Sequence, residues 1–262
     1  MSTMEMSPIL ESAHEITGDD FAPYPGAFIV TEGPDGGGKT TMAKQLVDNL
    51  TDLGWDAVYT REPGGSVYAE QVRELVINEK NLNPDAQMLA LFSARMDHVE
   101  TVILPALMEG KIVVSDRFVD STFAYQVACG GANEYLFNAL DNHLKTILEP
   151  DLTLYFDIDH KTAVKRAGDR GTGNLYDDHF LQRFSNFNVI RQAYKERSET
   201  KPEDAVGFID ASRSQRKVSR EVKKWARAID KSHTAKGAQP ITTTILGFES
   251  GLRQLTNILV NK

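Results

Sequence analysis

The stretch Gly33-Pro34-Asp35-Gly36-Gly37-Gly38-Lys39-Thr40 constrains this chain more than any other part of it. It fits the pattern G-x-x-x-x-G-K-[ST], follows the apolar run Ala27-Phe28-Ile29-Val30, and precedes an amphipathic segment that begins near Thr41. That order of strand, glycine loop and helix gives the pattern its meaning. Glycines let successive backbone N–H groups turn inward around phosphate oxygens, and the N-terminus of the following helix adds a favourable field. Gly33, Gly36, Gly37, Gly38, Lys39, Thr40 and Thr41 are the expected nucleotide-binding set. Lys39 reaches the β- and γ-phosphates, and the Thr40 hydroxyl helps to hold Mg²⁺. A glycine-rich turn that only caps a helix is the plainer alternative.

A chain of 262 residues with 41% hydrophobic content can bury its core as one large domain. Its 37 acidic and 29 basic residues leave a formal net charge of -8, which argues against general nucleic-acid or membrane-surface binding. An acidic protein that handles anionic phosphates must gather its arginines and lysines locally. The single cysteine, Cys129, excludes an internal disulfide and a cysteine-cluster metal site, and reads as a small half-buried apolar residue. No apolar run reaches the ~20 residues of a membrane span, and the N-terminus lacks a charged-then-apolar signal pattern. The expectation is a soluble cytoplasmic protein.

Residues 1–26 show little periodicity and read as a flexible N-terminal extension. Strand-like runs then alternate with helical patterns. The strands are Phe28–Thr31, Ala57–Thr60, Ile112–Ser115, Leu152–Asp157 and Val206–Ile209; the helical patterns include 39–53, 66–79, 84–109, 131–148, 160–168, 178–198 and 214–231. Such alternation predicts an α/β fold, a parallel sheet covered by helices on both faces, with ligands beyond the carboxyl ends of the strands. The main domain is expected over 27–231. A linker near 232–243 and an appended helix at roughly 246–260 complete a C-terminal extension, 232–262.

Two further motifs fall at strand ends. Arg61-Glu62-Pro63-Gly64-Gly65 follows the second strand; the bland reading is a tight turn, yet a rigidly held Arg61 can grip a phosphate. Lys111-Ile112-Val113-Val114-Ser115-Asp116-Arg117-Phe118 is an apolar strand that ends in a carboxylate, as a Walker-B element does, where Asp116 would order Mg²⁺ and Arg117 would lie over the phosphates.

Together these residues resemble the thymidylate kinase family. The resemblance rests on Glu32-Gly33-x-Asp35-Gly36-x-Gly38-Lys39-Thr40-Thr41, Arg61-Glu62-Pro63-Gly64-Gly65, Asp116-Arg117 and Ser121-Thr122-x-Ala124-Tyr125-Gln126. Val99-Glu100-Thr101-Val102-Ile103-x-Pro105-Ala106-Leu107 and Glu149-Pro150-Asp151-Leu152-Thr153-Leu154 add a likeness to the bacterial members, and the whole covers about 27–226. It implies a P-loop fold with a five-stranded parallel sheet and a mobile cap. It implies transfer of the γ-phosphoryl group of ATP, with Mg²⁺, to a deoxypyrimidine monophosphate. Lys39 would serve the ATP side, with Thr40 and Asp116 behind the metal. Arg61 and Arg117 would grip the acceptor phosphate, and Asp35 would accept a hydrogen bond from the sugar 3′-hydroxyl. Arg95 would read the base, with Thr122 and Gln126 nearby and Tyr125 under the sugar. Plain helix packing is the alternative for Tyr125, and a solvated or capping role for Thr122 and Gln126. The family pairs as homodimers; apolar stripes such as Met88, Leu91, Val99, Val102 and Ile103 are either core or interface.

The resemblance also locates the cap, around Arg166-Ala167-Gly168-Asp169-Arg170-Gly171-Thr172-Gly173-Asn174, where three glycines among charged residues suit a closing loop. The family carries its catalytic arginine either in the phosphate loop or in the cap. Gly36 stands where the first kind has Arg, so Arg166 and Arg170 are favoured, with surface solvation the alternative. Two departures touch the base pocket. A family Phe four residues before the base-reading Arg is Leu91 here, with Phe92 one position later, and the cap's Arg-aromatic-Glu is nearest to Leu175-Tyr176-Asp177. Either Phe92 is rotated into the stacking role or the base rests on Leu91. dTMP is the expected acceptor. dUMP or a 5-substituted dUMP, an acceptor-free nucleotide switch, and a degenerate scaffold are the competing readings.

Overall fold

Alternation along the strands builds the sheet in the computed structural model of this chain, which describes residues 24–79, 81–170, 184–235 and 237. The expected N-terminal extension through residue 23, the cap positions 171–183 with Leu175, and the helix expected over 246–260 lie outside the described residues.

The strands are β1 (Ala27–Glu32), β2 (Ala57–Arg61), β3 (Ile112–Asp116), β4 (Leu152–Asp157) and β5 (Val206–Asp210), each within one residue of its expected bounds. All pair in parallel, in the order β2-β3-β1-β4-β5. Ala27 and Ile29 pack to one face, Phe28 and Val30 to the other, as a period of two requires. A strand buried on both faces reads as an unbroken apolar run, which is how β1 and β3 read.

One face is covered by α1 (Lys39–Asp52) through Met42, Ala43, Leu46 and Leu50, and by the C-terminal helix Gln215–Ala235. That helix buries Val218, Val222, Ala226, Ile229 and His233 at helical spacing and turns its charged residues outward. The other face is covered by α3 (Pro84–His98) and the helical segments that follow it, and α2 (Val67–Asn78) packs against α3. α2 is capped by Ser66, whose hydroxyl accepts from the Ala69 N–H at 3.1 Å; α3 is capped by Asn83 with Pro84 at its first turn.

The pattern over 84–109 proves to be three pieces in one axis: α3, a π-helical stretch Val99–Ile103, and α4 (Leu104–Met108). Met88, Val99 and Ile103 from the apolar stripe go into the core, so there the stripe is core rather than interface. Residues 119–129, absent from the expected helices, form α5 (Val119–Thr122) and a second π-helical stretch, Phe123–Cys129. α6 therefore begins late, at Glu134 behind the Asn133 cap, and ends at Lys145. Val119, Asp120, Ser121, Thr122, Phe123 and Tyr125 all have weak helix propensity, so 119–125 reads as neither helix nor strand, and packing decided it. α7 (His160–Arg170), α8 (Phe184–Glu199) and α9 (Gln215–Ala235) complete the described helices.

The register carries the functional consequence. Thr31 pairs with Asp116, Arg61 pairs with Asp116 from the other side, and Glu32 pairs with Tyr155. The carboxyl ends of the strands thus bring Glu32, Arg61 and Asp116 to one edge, where such sheets bind their ligands.

Candidate active site

The phosphate loop turns between β1 and α1 on residues that only glycine fits well. Gly33, Gly36 and Gly38 have φ of 135°, 85° and 76°. A Cβ on Gly36 would stand 2.8 Å from the Ala163 Cα of α7, so the loop is packed against the start of the cap helix. Lys39, 5% exposed, donates from Nζ to the Pro34 carbonyl at 2.8 Å and lies 3.9 Å from Asp35 Oδ1. Burial and then Arg117 lower the Lys39 pKa to about 8, against the raising pull of Asp35 and Asp116. Thr40 Oγ1, at the first turn of α1, donates to Asp116 Oδ2, while Asp116 Oδ1 is buried without a hydrogen-bond partner.

A second group surrounds Arg117. This residue holds a positive φ of 76°, rare for a side-chain-bearing residue, and its N–H donates to the Thr31 carbonyl at 2.9 Å. Its guanidinium donates to Asp35, to Ser121 Oγ at 2.9 Å and to Tyr194 Oη at 3.0 Å. Tyr125 Oη donates to Asp35 Oδ2 at 2.7 Å, and its ring lies under the Arg117 guanidinium at 5.2 Å. Burial pulls the Arg117 pKa down, but Asp35 and the tyrosines outweigh it and leave it well above its ordinary value. Glu32 holds the segment in place: it accepts from the Phe118 N–H at 2.8 Å, the Ser121 N–H at 3.2 Å and Ser121 Oγ at 2.6 Å. Burial, then the nearby Asp120 charge, raises the Glu32 carboxyl to about 7.

The third group is built on Arg95 of α3. Arg95 Nε donates to Glu62 Oε2 at 2.6 Å, and Nη2 donates to the Phe118 carbonyl at 3.1 Å and Thr122 Oγ1 at 2.9 Å. Arg95 Nη1 is buried and has no hydrogen-bond partner. His98 Nδ1 lies 3.2 Å from Glu62 Oε1, and its Nε2 lies 2.6 Å from Thr60 Oγ1. The Phe92 ring stands 4.9 Å from the Arg95 guanidinium, and Gln126 Nε2 donates to Gln87 at 3.3 Å. Of the two candidates for the surface under the base, Phe92 and Leu91, both are buried, and the Phe92 ring is packed edge-on to Phe137 at 5.7 Å.

The expected site residues therefore gather at the strand ends, with two exceptions. Arg61 turns its Nη2 to Glu70, at 2.8 and 2.9 Å, and Glu70 also accepts from the Gly65 N–H. The Arg170 side chain lies outside the described residues. Arg166 does reach the loop, with Nη1 3.4 Å from the Gly36 carbonyl and Nη2 donating to the Arg213 carbonyl at 2.9 Å. Sequence reasoning left Glu32, Glu62, His98, Ser121 and Tyr194 without roles. Glu32 carried a signal, a lone carboxylate closing an apolar strand. Tyr194, 77 residues from Arg117, carried none.

Among the described residues no cluster of three or more His, Cys, Asp and Glu could hold a metal, and no helix is long and apolar enough to cross a membrane. Comparison with known proteins agrees with the geometry. The model of the family described as "Thymidylate kinase" matches residues 31–222. A thymidylate kinase of Pseudomonas putida (strain GB-1) is 38% identical over 199 residues, covering 75% of this chain and 93% of that protein. One of Pseudomonas fluorescens (strain SBW25) is 39% identical over 180 residues, covering 68% and 84%. Among solved structures, thymidylate kinase from Ehrlichia chaffeensis superposes with a TM-score of 0.60 at 30% identity, covering 76% of this chain and 97% of that one. The chain belongs to the thymidylate kinase family.

Proposed function

We propose that the strand-end cluster divides into a donor side and an acceptor side that meet at Asp35, Lys39 and Arg117. As a member of the thymidylate kinase family, the chain is a nucleoside monophosphate kinase that phosphorylates dTMP to dTDP with ATP. Family membership does not favour a dUMP-type acceptor or an acceptor-free switch.

The chemistry needs little covalent help. Two anionic groups must be brought in line, and the charge on the migrating phosphoryl must be stabilised. On the donor side the backbone N–H groups of Gly33 and of Gly36 to Thr41 cradle the ATP phosphates, and Lys39 exchanges its Pro34 contact for phosphate oxygens. Thr40 and Asp116 fit Mg²⁺: a hydroxyl and a carboxylate meet there, and one carboxylate oxygen is buried with no donor. An ion that keeps its waters and binds through one or two carboxylates plus phosphates needs no larger protein cage. When bound it neutralises charge on the β- and γ-phosphates. Arg166, already at the Gly36 carbonyl, and Arg170 add positive charge from the cap side.

On the acceptor side, Arg117 holds the monophosphate and Arg61 joins it by exchanging its Glu70 contact for phosphate oxygens, Asp35 accepts from the sugar 3′-hydroxyl, and Tyr125 packs under the sugar. Arg95, Thr122 and Gln126 read the base, with Phe92 as the aromatic wall. The observation that carries this division is Arg95 Nη1, a donor buried in a charged network and satisfied by nothing in the protein. A pyrimidine carbonyl satisfies it, and a base with the wrong edge leaves it unmet at a cost of about 1–3 kcal/mol.

We place the domain at 27–231, with 1–26 and 232–262 as appended segments; α9 runs past that boundary to Ala235 and buries His233. We also read the protein as a cytoplasmic homodimer that binds neither nucleic acid nor membrane. The exposed Val67 and Leu75 of α2 and Leu89 of α3 support a self-association face on those helices. The test is coupled ADP release with Mg²⁺-ATP against dTMP, dUMP, 5-hydroxymethyl-dUMP, dCMP, dGMP and UMP. A selective response to dTMP is expected. Equal release with and without any acceptor would overturn the division.

A further inference from the structure

Besides the donor of Arg95, two more buried polar atoms without a hydrogen-bond partner stand on neighbouring strands: Asp116 Oδ1 on β3 and the Tyr59 hydroxyl on β2. The register pairs Tyr59 with Val114 and Arg61 with Asp116. Alternation sends Tyr59, Val114 and Asp116 to one face, the face that α1 covers. The Tyr59 ring packs against the core there, and Lys44 Nζ, one turn beyond Thr40, lies 5.2 Å from its centroid. The ring is thus held between α1 and the sheet, at the corner where Thr40 donates to Asp116 Oδ2. A buried donor beside a buried acceptor, each unmet, is an arrangement that proteins rarely tolerate without a use.

We propose that Tyr59 is a positioning residue of the Mg²⁺ site: when the ion is held, its hydroxyl, unpartnered in this structure, turns to Asp116 Oδ1 and keeps that carboxylate in one orientation for the metal. This rests on the reading of Thr40 and Asp116 as the residues that hold the ion. Mg²⁺ demands near-ideal octahedral geometry, so a carboxylate free to rotate binds it less well. Hydrogen-bond partners of ligating groups change metal affinity by about 10–100-fold. Nothing in the β2 sequence marks Tyr59 for this role, because an aromatic residue in a strand is ordinary.

The experiment is a Mn²⁺ titration, followed by electron paramagnetic resonance, of the full chain saturated with a non-hydrolysable ATP analogue. Tyr59→Phe keeps the ring and removes only the hydroxyl. It is expected to weaken Mn²⁺ binding about tenfold while leaving metal-free analogue binding and the thermal midpoint unchanged. Asp116→Asn weakens Mn²⁺ by itself, and Tyr59→Phe added to it has no further effect. Lys44→Ala, which removes the cation over the ring but not the hydroxyl, leaves Mn²⁺ affinity as it was. Unchanged Mn²⁺ affinity in Tyr59→Phe, full additivity with Asp116→Asn, or an equal loss in Lys44→Ala would each overturn the proposal. If Asp116→Asn itself left Mn²⁺ binding intact, the metal reading of Asp116 would fall, and the role of Tyr59 with it.

Discussion

Arg95 Nε and Glu62 Oε2 meet at 2.6 Å with both side chains 3% exposed, and this buried ion pair joins α3 to the turn after β2. The pair aims the Arg95 guanidinium: with Nε on Glu62 and Nη2 on Phe118 and Thr122, only Nη1 is left without a partner. Arg95→Ala is expected to raise KM for dTMP and blur discrimination among pyrimidines while leaving the ATP Kd within about twofold. It also leaves the buried Glu62 with His98 as its remaining side-chain partner, and breaking a buried pair of this kind costs about 3–5 kcal/mol of stability. Separate binding titrations and urea melts distinguish the two effects. An unchanged monophosphate preference would show that the base pocket lies elsewhere.

Lys39 couples nucleotide binding to protons. Its free-state pKa is lowered to about 8, mainly by burial. Phosphate oxygens favour the ammonium form, so binding raises that pKa. ATP binding at pH 8 to 9 should therefore take up a proton, and affinity should fall as pH rises through about 8. Calorimetry in buffers of different ionisation enthalpy measures the uptake directly. Lys39→Met is expected to remove both the uptake and the transfer reaction, with the fold retained.

Glu32 gives a pH dependence of stability. Its carboxyl is raised from an ordinary 4.5 to about 7, burial being the largest cause. The native state then binds the proton more tightly than the unfolded chain, so stability declines as pH rises from about 4.5 to about 7 and levels off above. Glu32→Gln, whose amide can still accept from Phe118 and Ser121, should flatten that decline. Urea midpoints of the two proteins between pH 5 and 8 would run parallel if Glu32 were not the group responsible.

Asp35 is engaged by Arg117 and Tyr125 together. Asp35→Ala should raise KM for dTMP by about 10–100-fold, the size of a lost hydrogen bond to a charged group. The same variant should no longer distinguish dTMP from 3′-deoxy-dTMP. Retained discrimination would move the sugar contact to another residue.

Arg197 ties three helical segments without touching the proposed nucleotide sites. It donates to Asp120 at 2.7 Å and Asp141 at 2.9 Å, and its guanidinium lies over the Phe123 and Phe137 rings. Arg197→Ala leaves two buried carboxylates short of a partner, with Lys201 and Lys145 as their remaining cations. A loss of about 3–5 kcal/mol in urea unfolding is expected, with KM for ATP little changed.

The sequence alone determined the strands, the phosphate loop and the order of motifs, because each is written in local chemistry: apolar runs bounded by glycine, proline and charge. Lys39, Thr40, Asp116 and Arg117 were legible for the same reason, whereas Arg95 came only from the family resemblance. The tertiary structure decided what those residues face. Arg61 turns to Glu70 because α2 folds back over the turn after β2, a contact that neither stretch announces. Residues 119–129 become helix because Glu32, Asp35 and Arg95 grip Ser121, Tyr125 and Thr122 from other elements, and intrinsic propensity there is weak. Tyr194 reaches Arg117 across 77 residues of sequence, a distance that no periodicity spans. Local pattern sets what a segment can become; the register of a parallel sheet and the packing over it set which polar groups must satisfy one another once water is excluded.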